Sequence, residues 1–255
     1  GIEALASAIQ AGDGDRVVSL LDGATYSDIT RLDPPSSARG FEGLLRERLV
    51  SRYAPVVTEP DPVAALEAQG CFRVLCAHRS GVRGVSRLNR EVESWLVASG
   101  KVRVDQDWYV GRPIMITRND GSLKLRNGDV GVVLAGESPD SRVAWFPGDR
   151  EGEVRSFRPA ALPEHTTVFA TTVHKGQGSE YEEVLVILPD KRSPVVTREL
   201  LYTAVTRASG RVAVLGSPEV IREAVSATIH RMTGLQAKLS DSAGLALSTG
   251  GPRFR

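Results

Sequence analysis

Two apolar runs separated by a dense polar loop constrain this chain more than any other feature. Thr166 to Ala170 leads into TTVHKGQGSEY, from Thr171 to Tyr181, and after Glu182 and Glu183 comes the unbroken apolar run Val184 to Leu188. The pattern is a polar turn between two buried strands, and strand edges are where parallel sheets keep their sites. Thr172, His174, Lys175, Gln177 and Ser179 surround Gly176 and Gly178. Such a loop lets backbone N–H groups approach a phosphate or a sugar. Taken alone it is equally an ordinary surface turn.

The second constraint lies about twenty residues on. In TRELLYTAVTRA, Thr197 to Ala208, the residues Leu201, Ala204, Val205 and Ala208 repeat at helical spacing. One face of that helix is therefore buried, leaving Glu199, Thr203, Thr206 and Arg207 on the other side. By itself this describes a core helix with a solvated face.

Together the loop and the helix resemble motifs V and VI of the superfamily 1 DNA helicases, and within them the RecD type, the alpha subunit of exodeoxyribonuclease V. Leu75-Cys76-Ala77 with Arg79, Leu88-Asn89, Gly111-Arg112-Pro113, Arg118-Asn119-Asp120 and Asn127-Gly128-Asp129 extend the resemblance. So do Leu162 to His165 and Pro194 to Glu199, so that it runs to about Gly234.

The resemblance implies an α/β fold: a RecA-like, P-loop NTPase-type domain with a parallel sheet, interrupted by a small SH3-like β-barrel. Arg207 then stands where motif VI supplies the arginine finger. Gln177, Gly178 and Glu180 line the ATP wall, the Glu180 carboxylate reaching the ribose hydroxyls. Thr172, His174 and Lys175 face DNA phosphates, and Arg118 and Asn119 on the inserted domain approach single-stranded DNA. The implied cofactor is ATP with Mg2+, and the implied partners are single-stranded DNA, the first RecA-like domain of the same protein, and RecB and RecC.

No G-x-x-x-x-G-K-[ST] occurs, and no Walker B carboxylate pair ends an apolar strand. The phosphate cradle and the magnesium ligands are thus absent. A segment with only half of an ATP site is expected to be inactive alone. It also opens at Gly1 already in helical pattern, as a piece of a longer polypeptide would. A stand-alone superfamily 1 helicase and a non-catalytic DNA-binding or scaffold module are the competing readings.

The order of elements follows from periodicity. Residues 1–70 read as a lead-in of four helices and loops, the fourth capped at Asp61-Pro62. Phe72 to Ala77 is a buried strand. A helix starting at Ser80 or Gly81 buries Val85, Leu88, Val92, Trp95 and Leu96 and aligns Arg83, Arg87 and Arg90 along another face. Residues 105–164 read as a β-meander with hairpin chemistry at Asn127-Gly128.

From 165 to 235 the strand–helix alternation resumes, starting with one strand from Thr166 to Thr171. Together with 71–104 this makes the motor domain, its strands parallel and its crossovers right-handed. Residues 236–255 are expected to be disordered, being Gly- and Ser-rich.

Charge supports a nucleic-acid track over a diffuse basic coat. Between Phe72 and Arg126 there are 11 Lys and Arg against 5 Asp and Glu, in a chain whose net charge is +1. Cys71 and Cys76 form no zinc or disulfide framework, and no metal-ligating set is predicted. With no apolar run approaching the ~18 residues of a membrane span and no signal sequence, a cytoplasmic location is expected.

Overall fold

The computed structural model describes residues 1–228 apart from 139, 151 and 177. The expected disordered tail therefore lies outside the described residues, as does Gln177. The chain opens with helices α1 (Ile2–Ala11) and α2 (Gly14–Asp22), strand β1 (Ile29–Leu32), and helices α3 (Ala38–Thr58) and α4 (Pro62–Cys71). Next come β2 (Phe72–Cys76), α5 (Val85–Ala98), β3 (Pro113–Ile116), β4 (Val130–Ala135), β5 (Arg142–Pro147) and β6 (Val154–Phe157). After β7 (His165–Thr167) follow β8 (Ala170–Thr172), β9 (Tyr181–Ile187), α6 (Arg198–Val205), β10 (Ala208–Leu215) and α7 (Pro218–Ser226).

The parallel sheet has the order β1-β10-β9-β2-β8. The alternation in β9 explains why it is central: Val184 and Val186 join one apolar core, Leu185 and Ile187 the other. Helices α1, α2, α6 and α7 cover the first face, and α3 and α5 the second. Both faces are buried, as a parallel sheet requires.

Four expectations change. The lead-in is not only helices and loops, since β1 forms a parallel edge with β10, Ile29 opposite Val212. It escaped notice because Ile29-Thr30-Arg31-Leu32 is short and carries a charge. Next, α5 begins at Val85, so Arg83 lies before it, donating to the Leu188 carbonyl at 3.3 Å with its guanidinium over the Phe41 ring. Arg87 pairs with Glu91 at 2.6 Å, and the expected arginine row breaks up.

The third change concerns the strand expected from Thr166 to Thr171, which is two strands in two sheets. β7 pairs antiparallel with β3, and β8 pairs parallel with β2. The antiparallel sheet has the order β6-β5-β4-β3-β7, with its own core around Ile114, Ile116, Val133, Ala144 and Phe146. Helix α4 fastens this sheet to the rest through Ala65, which packs with Val132 and Leu134. Asn127-Gly128 closes no two-residue hairpin. It stands at the base of the long β3–β4 connection, where Gly128 has φ 102° and its N–H donates to the Ile116 carbonyl at 2.9 Å.

The crossing between the sheets is held by side chains. Asn89 Oδ1 accepts from the Phe169 and Ala170 N–H groups at 2.8 and 2.7 Å, and its amide donates to the Ala170 carbonyl at 3.2 Å. Arg73 donates to the Val168 carbonyl at 2.8 Å, and the Tyr53 hydroxyl donates to that of Phe169. Burial pushes the Tyr53 phenol well above its usual range, so it remains a neutral donor. Backbone groups that leave one ladder before joining the next need such partners.

Candidate nucleotide edge and DNA groove

Between β8 and β9 the chain must return from one end of β2 to the other, because both strands run parallel to it: Thr172 lies level with Cys76, whereas Glu183 lies level with Phe72. A single turn starts the descent, with Gly176 N–H donating to the Thr172 and Val173 carbonyls at 3.1 and 3.2 Å. Residues i and i+3 of such a turn share a side. Val173 and Gly176 are buried against the sheet, and a Cβ on Gly176 would stand 3.2 Å from Leu75 Cδ2. His174 and Lys175 are consequently turned outward and exposed. Gly178, at φ 87°, takes the left-handed conformation that favours glycine.

On the β8 side lies a groove of about 720 Å³, walled by α5, the antiparallel sheet and this turn. Arg79, Arg90, Thr172, Lys175 and Thr117 line it, together with Glu93 and Glu164. Of the expected DNA-facing residues, Thr172 and Lys175 are in the groove. His174 is exposed on the same turn. Arg118 is at the rim, paired with Glu164 at 3.3 Å; both side chains are about 70% exposed, so the pair contributes little to stability.

Asn119 is elsewhere. It borders a separate cavity with Lys124, Arg126 and Asp149, and its Oδ1 accepts from Asn127 N–H at 2.7 Å. Its side-chain oxygen is thus committed to holding the β3–β4 connection.

At the other end of the parallel strands, where β9 and β10 begin, the turn's far end meets α6. Thr197 caps that helix by accepting from Leu200 N–H, and Arg207 follows its last turn. The Arg207 carbonyl accepts from Tyr181 N–H at 2.8 Å, and its guanidinium donates to the Ser179 carbonyl at 3.2 Å. Exposed Glu180 stands between the two residues that Arg207 grips. Arg207, Gly178 and Glu180 are therefore brought to one edge, separate from the groove.

Three buried polar atoms have no hydrogen-bond partner here: Arg73 Nε, Thr171 Oγ1 and Arg207 Nε. Unpaired buried donors are uncommon, and each calls for an explanation. Sequence reasoning missed Arg73 and Asn89 as organisers of the site, although a charged residue inside the apolar strand FRVLC was a visible signal. No cluster of three or more His, Cys, Asp or Glu able to hold a metal occurs among the described residues. Among them, too, no helix is long and apolar enough to cross a membrane.

Residues 167–215 match the UvrD-like helicase C-terminal domain. The chain is 41% identical over 239 residues to the RecBCD enzyme subunit RecD of Mycolicibacterium smegmatis, covering 93% of this chain and 41% of that protein. It is 30% identical over 192 residues to the ATP-dependent RecD2 DNA helicase of Deinococcus radiodurans, covering 74% of this chain and 24% of that one. A crystal structure of Pif1 helicase from Bacteroides, in complex with ADP-AlF3 and single-stranded DNA, aligns with a TM-score of 0.41 at 15% identity, over 83% of this chain and 56% of the other. The chain spans about two-fifths of the length of the RecD subunit it matches. It belongs with the RecD subunits, as a homologous segment of them.

Proposed function

We propose that this chain is the second motor domain of a RecD-like helicase that uses ATP to move 5′ to 3′ along single-stranded DNA in break repair and recombination. The observation that carries the reading is the course of residues 168–181, which run from a groove with three basic side chains to the edge that holds Arg207 and Glu180. One segment then touches both ligands. The direction, and RecB and RecC as companions, come with the RecD likeness. In this reading the antiparallel sheet is the SH3-like insertion, spanning 105–164 and completed by β7, and the motor domain comprises 71–104 with the chain after it. Residues 1–70 pack onto that domain.

When bound, ATP would supply the free energy of movement and Mg2+ would neutralise phosphate charge, held by ligands that the RecD likeness assigns to the first RecA-like domain. The residues here fit the remaining half. Arg207 is half-buried, keeps an unpaired Nε, and has a planar donor fork suited to phosphoryl oxygens. Glu180 offers a carboxylate acceptor to the ribose hydroxyls, near the open backbone of Gly178, and the RecD likeness assigns Gln177 to the same ligand. Thr172, His174 and Lys175 meet the DNA backbone as neutral or cationic donors, with Arg118 at the rim and Asn119 farther along the insertion.

DNA binding is tested through its salt dependence. In the full-length protein, Lys175→Ala is expected to weaken binding of a poly-dT oligonucleotide at every salt concentration. The slope of log K against log salt should shrink by about 0.7, the share of one phosphate contact on a single strand. An unchanged slope would take Lys175 off the DNA path.

The likeness to RecD2 favours a second reading, a helicase working without RecB and RecC. Purification of the full-length protein from its own cells separates the two readings, since only the first retains companion subunits.

A further inference from the structure

Arg73 is the least expected residue in the core. It occupies the second position of β2, is 1% exposed, and stands in a strand in which every residue is buried. No carboxylate lies within ion-pair distance of it among the described residues. A buried cation without a counter-ion is costly, and apolar replacements of buried ions are often neutral or stabilising. Packing alone therefore does not account for an arginine here.

Its two contacts suggest what does. One guanidinium nitrogen donates to the Val168 carbonyl at 2.8 Å, and the guanidinium carbon lies 5.1 Å from the centre of the Tyr181 ring. Val168 is where the chain leaves β7 for β8, with the groove residue Thr167 just before it and the groove residue Ala170 two positions after it. Tyr181 is where β9 begins, and its N–H is bonded to the Arg207 carbonyl. From β2, Arg73 thus touches the chain at Val168, just before β8, and at Tyr181, the first residue of β9. Its Nε is buried without a hydrogen-bond partner.

We infer that Arg73 is a positioning residue that couples the DNA groove to the nucleotide edge. A shift of Val168 on groove occupancy is transmitted through one rigid guanidinium to Tyr181, and from there to Arg207. The fork shape matters, because a planar group can hold a carbonyl in its plane while stacking its face on a ring. Lysine has a single ammonium and cannot do both at these two places.

This inference rests on the helicase reading, and its test separates the two. ATP hydrolysis is measured in the full-length protein with and without a poly-dT oligonucleotide, for wild type, Arg73→Met and Arg73→Lys. The expected result is a basal rate within about twofold of wild type and a stimulation by DNA reduced about tenfold or more in both variants, a loss in the range of allosteric couplings. Arg73→Lys keeps the charge, so the inference stays testable if Arg73→Met does not fold. Undiminished stimulation in Arg73→Lys, or in a folded Arg73→Met, would make Arg73 a packing residue and overturn the inference alone. A wild-type protein that DNA does not stimulate would overturn the helicase reading and the inference with it.

Discussion

Replacing Arg207 by alanine in the full-length protein is expected to slow DNA-stimulated ATP hydrolysis about a thousandfold, roughly 4 kcal/mol of transition-state stabilisation. Negative charge builds on the transferred phosphoryl oxygens, and a guanidinium arriving from a second domain meets it only there. Nucleotide affinity should therefore change little while kcat falls. The side chain makes one hydrogen bond to the described residues, to the Ser179 carbonyl, so its loss should cost little stability. Arg207→Lys should fare nearly as badly, because a compact ammonium lacks the donor fork. Steady-state kinetics with a melting curve for each variant check both halves. An unchanged kcat would return Arg207 to the role of a surface arginine behind a helix.

The largest effect on stability is expected at Asn89, away from both ligands. Asn89→Ala removes the acceptor for two consecutive backbone N–H groups and the donor to the Ala170 carbonyl. Phe169 and Ala170 are 0% and 1% exposed, so water cannot reach the abandoned groups. Each unsatisfied buried group costs about 1–3 kcal/mol. A total of about 3 kcal/mol, or a fall in melting temperature of about 9 °C, is the expected result by thermal unfolding. Asn89→Asp keeps an acceptor for the two N–H groups and sets a carboxylate oxygen against a carbonyl, and should fall between wild type and alanine. If both variants melt with wild type, the crossing is held by Arg73 and Tyr53 alone.

The parallel sheet was legible because its signal is compositional and local. Val184 to Leu188 is apolar on both faces, and the Thr197 cap ahead of Leu200, Leu201, Ala204 and Val205 announces a helix whatever surrounds it. The split of Thr166–Thr171 was not legible. Its residues are equally suited to either sheet, and what divides them is the approach of Asn89, Arg73 and Tyr53 from 80 to 116 positions away in sequence. Arg83 illustrates the same limit. Its spacing to Arg87 and Arg90 fits one helix face, yet the helix begins two residues after it.

At the site, the turn chemistry of Gly176 and Gly178 and the outward placement of His174 and Lys175 could be read from residue types. Asn119 could not, since only the fold reveals that its oxygen is committed to Asn127 N–H. Of the arginines in the charge excess between Phe72 and Arg126, only Arg79 and Arg90 line the groove.

The central claim is that one segment answers to both nucleotide and DNA. Its most direct test is the affinity of the full-length protein for a poly-dT oligonucleotide, measured by fluorescence anisotropy at fixed salt with and without a non-hydrolysable ATP analogue. Linkage requires that coupled sites alter each other's affinity reciprocally, and a Kd that differs by about fivefold or more between the two conditions is the predicted result. Identical affinity in both would contradict the claim and leave the groove and the Arg207 edge as independent surfaces.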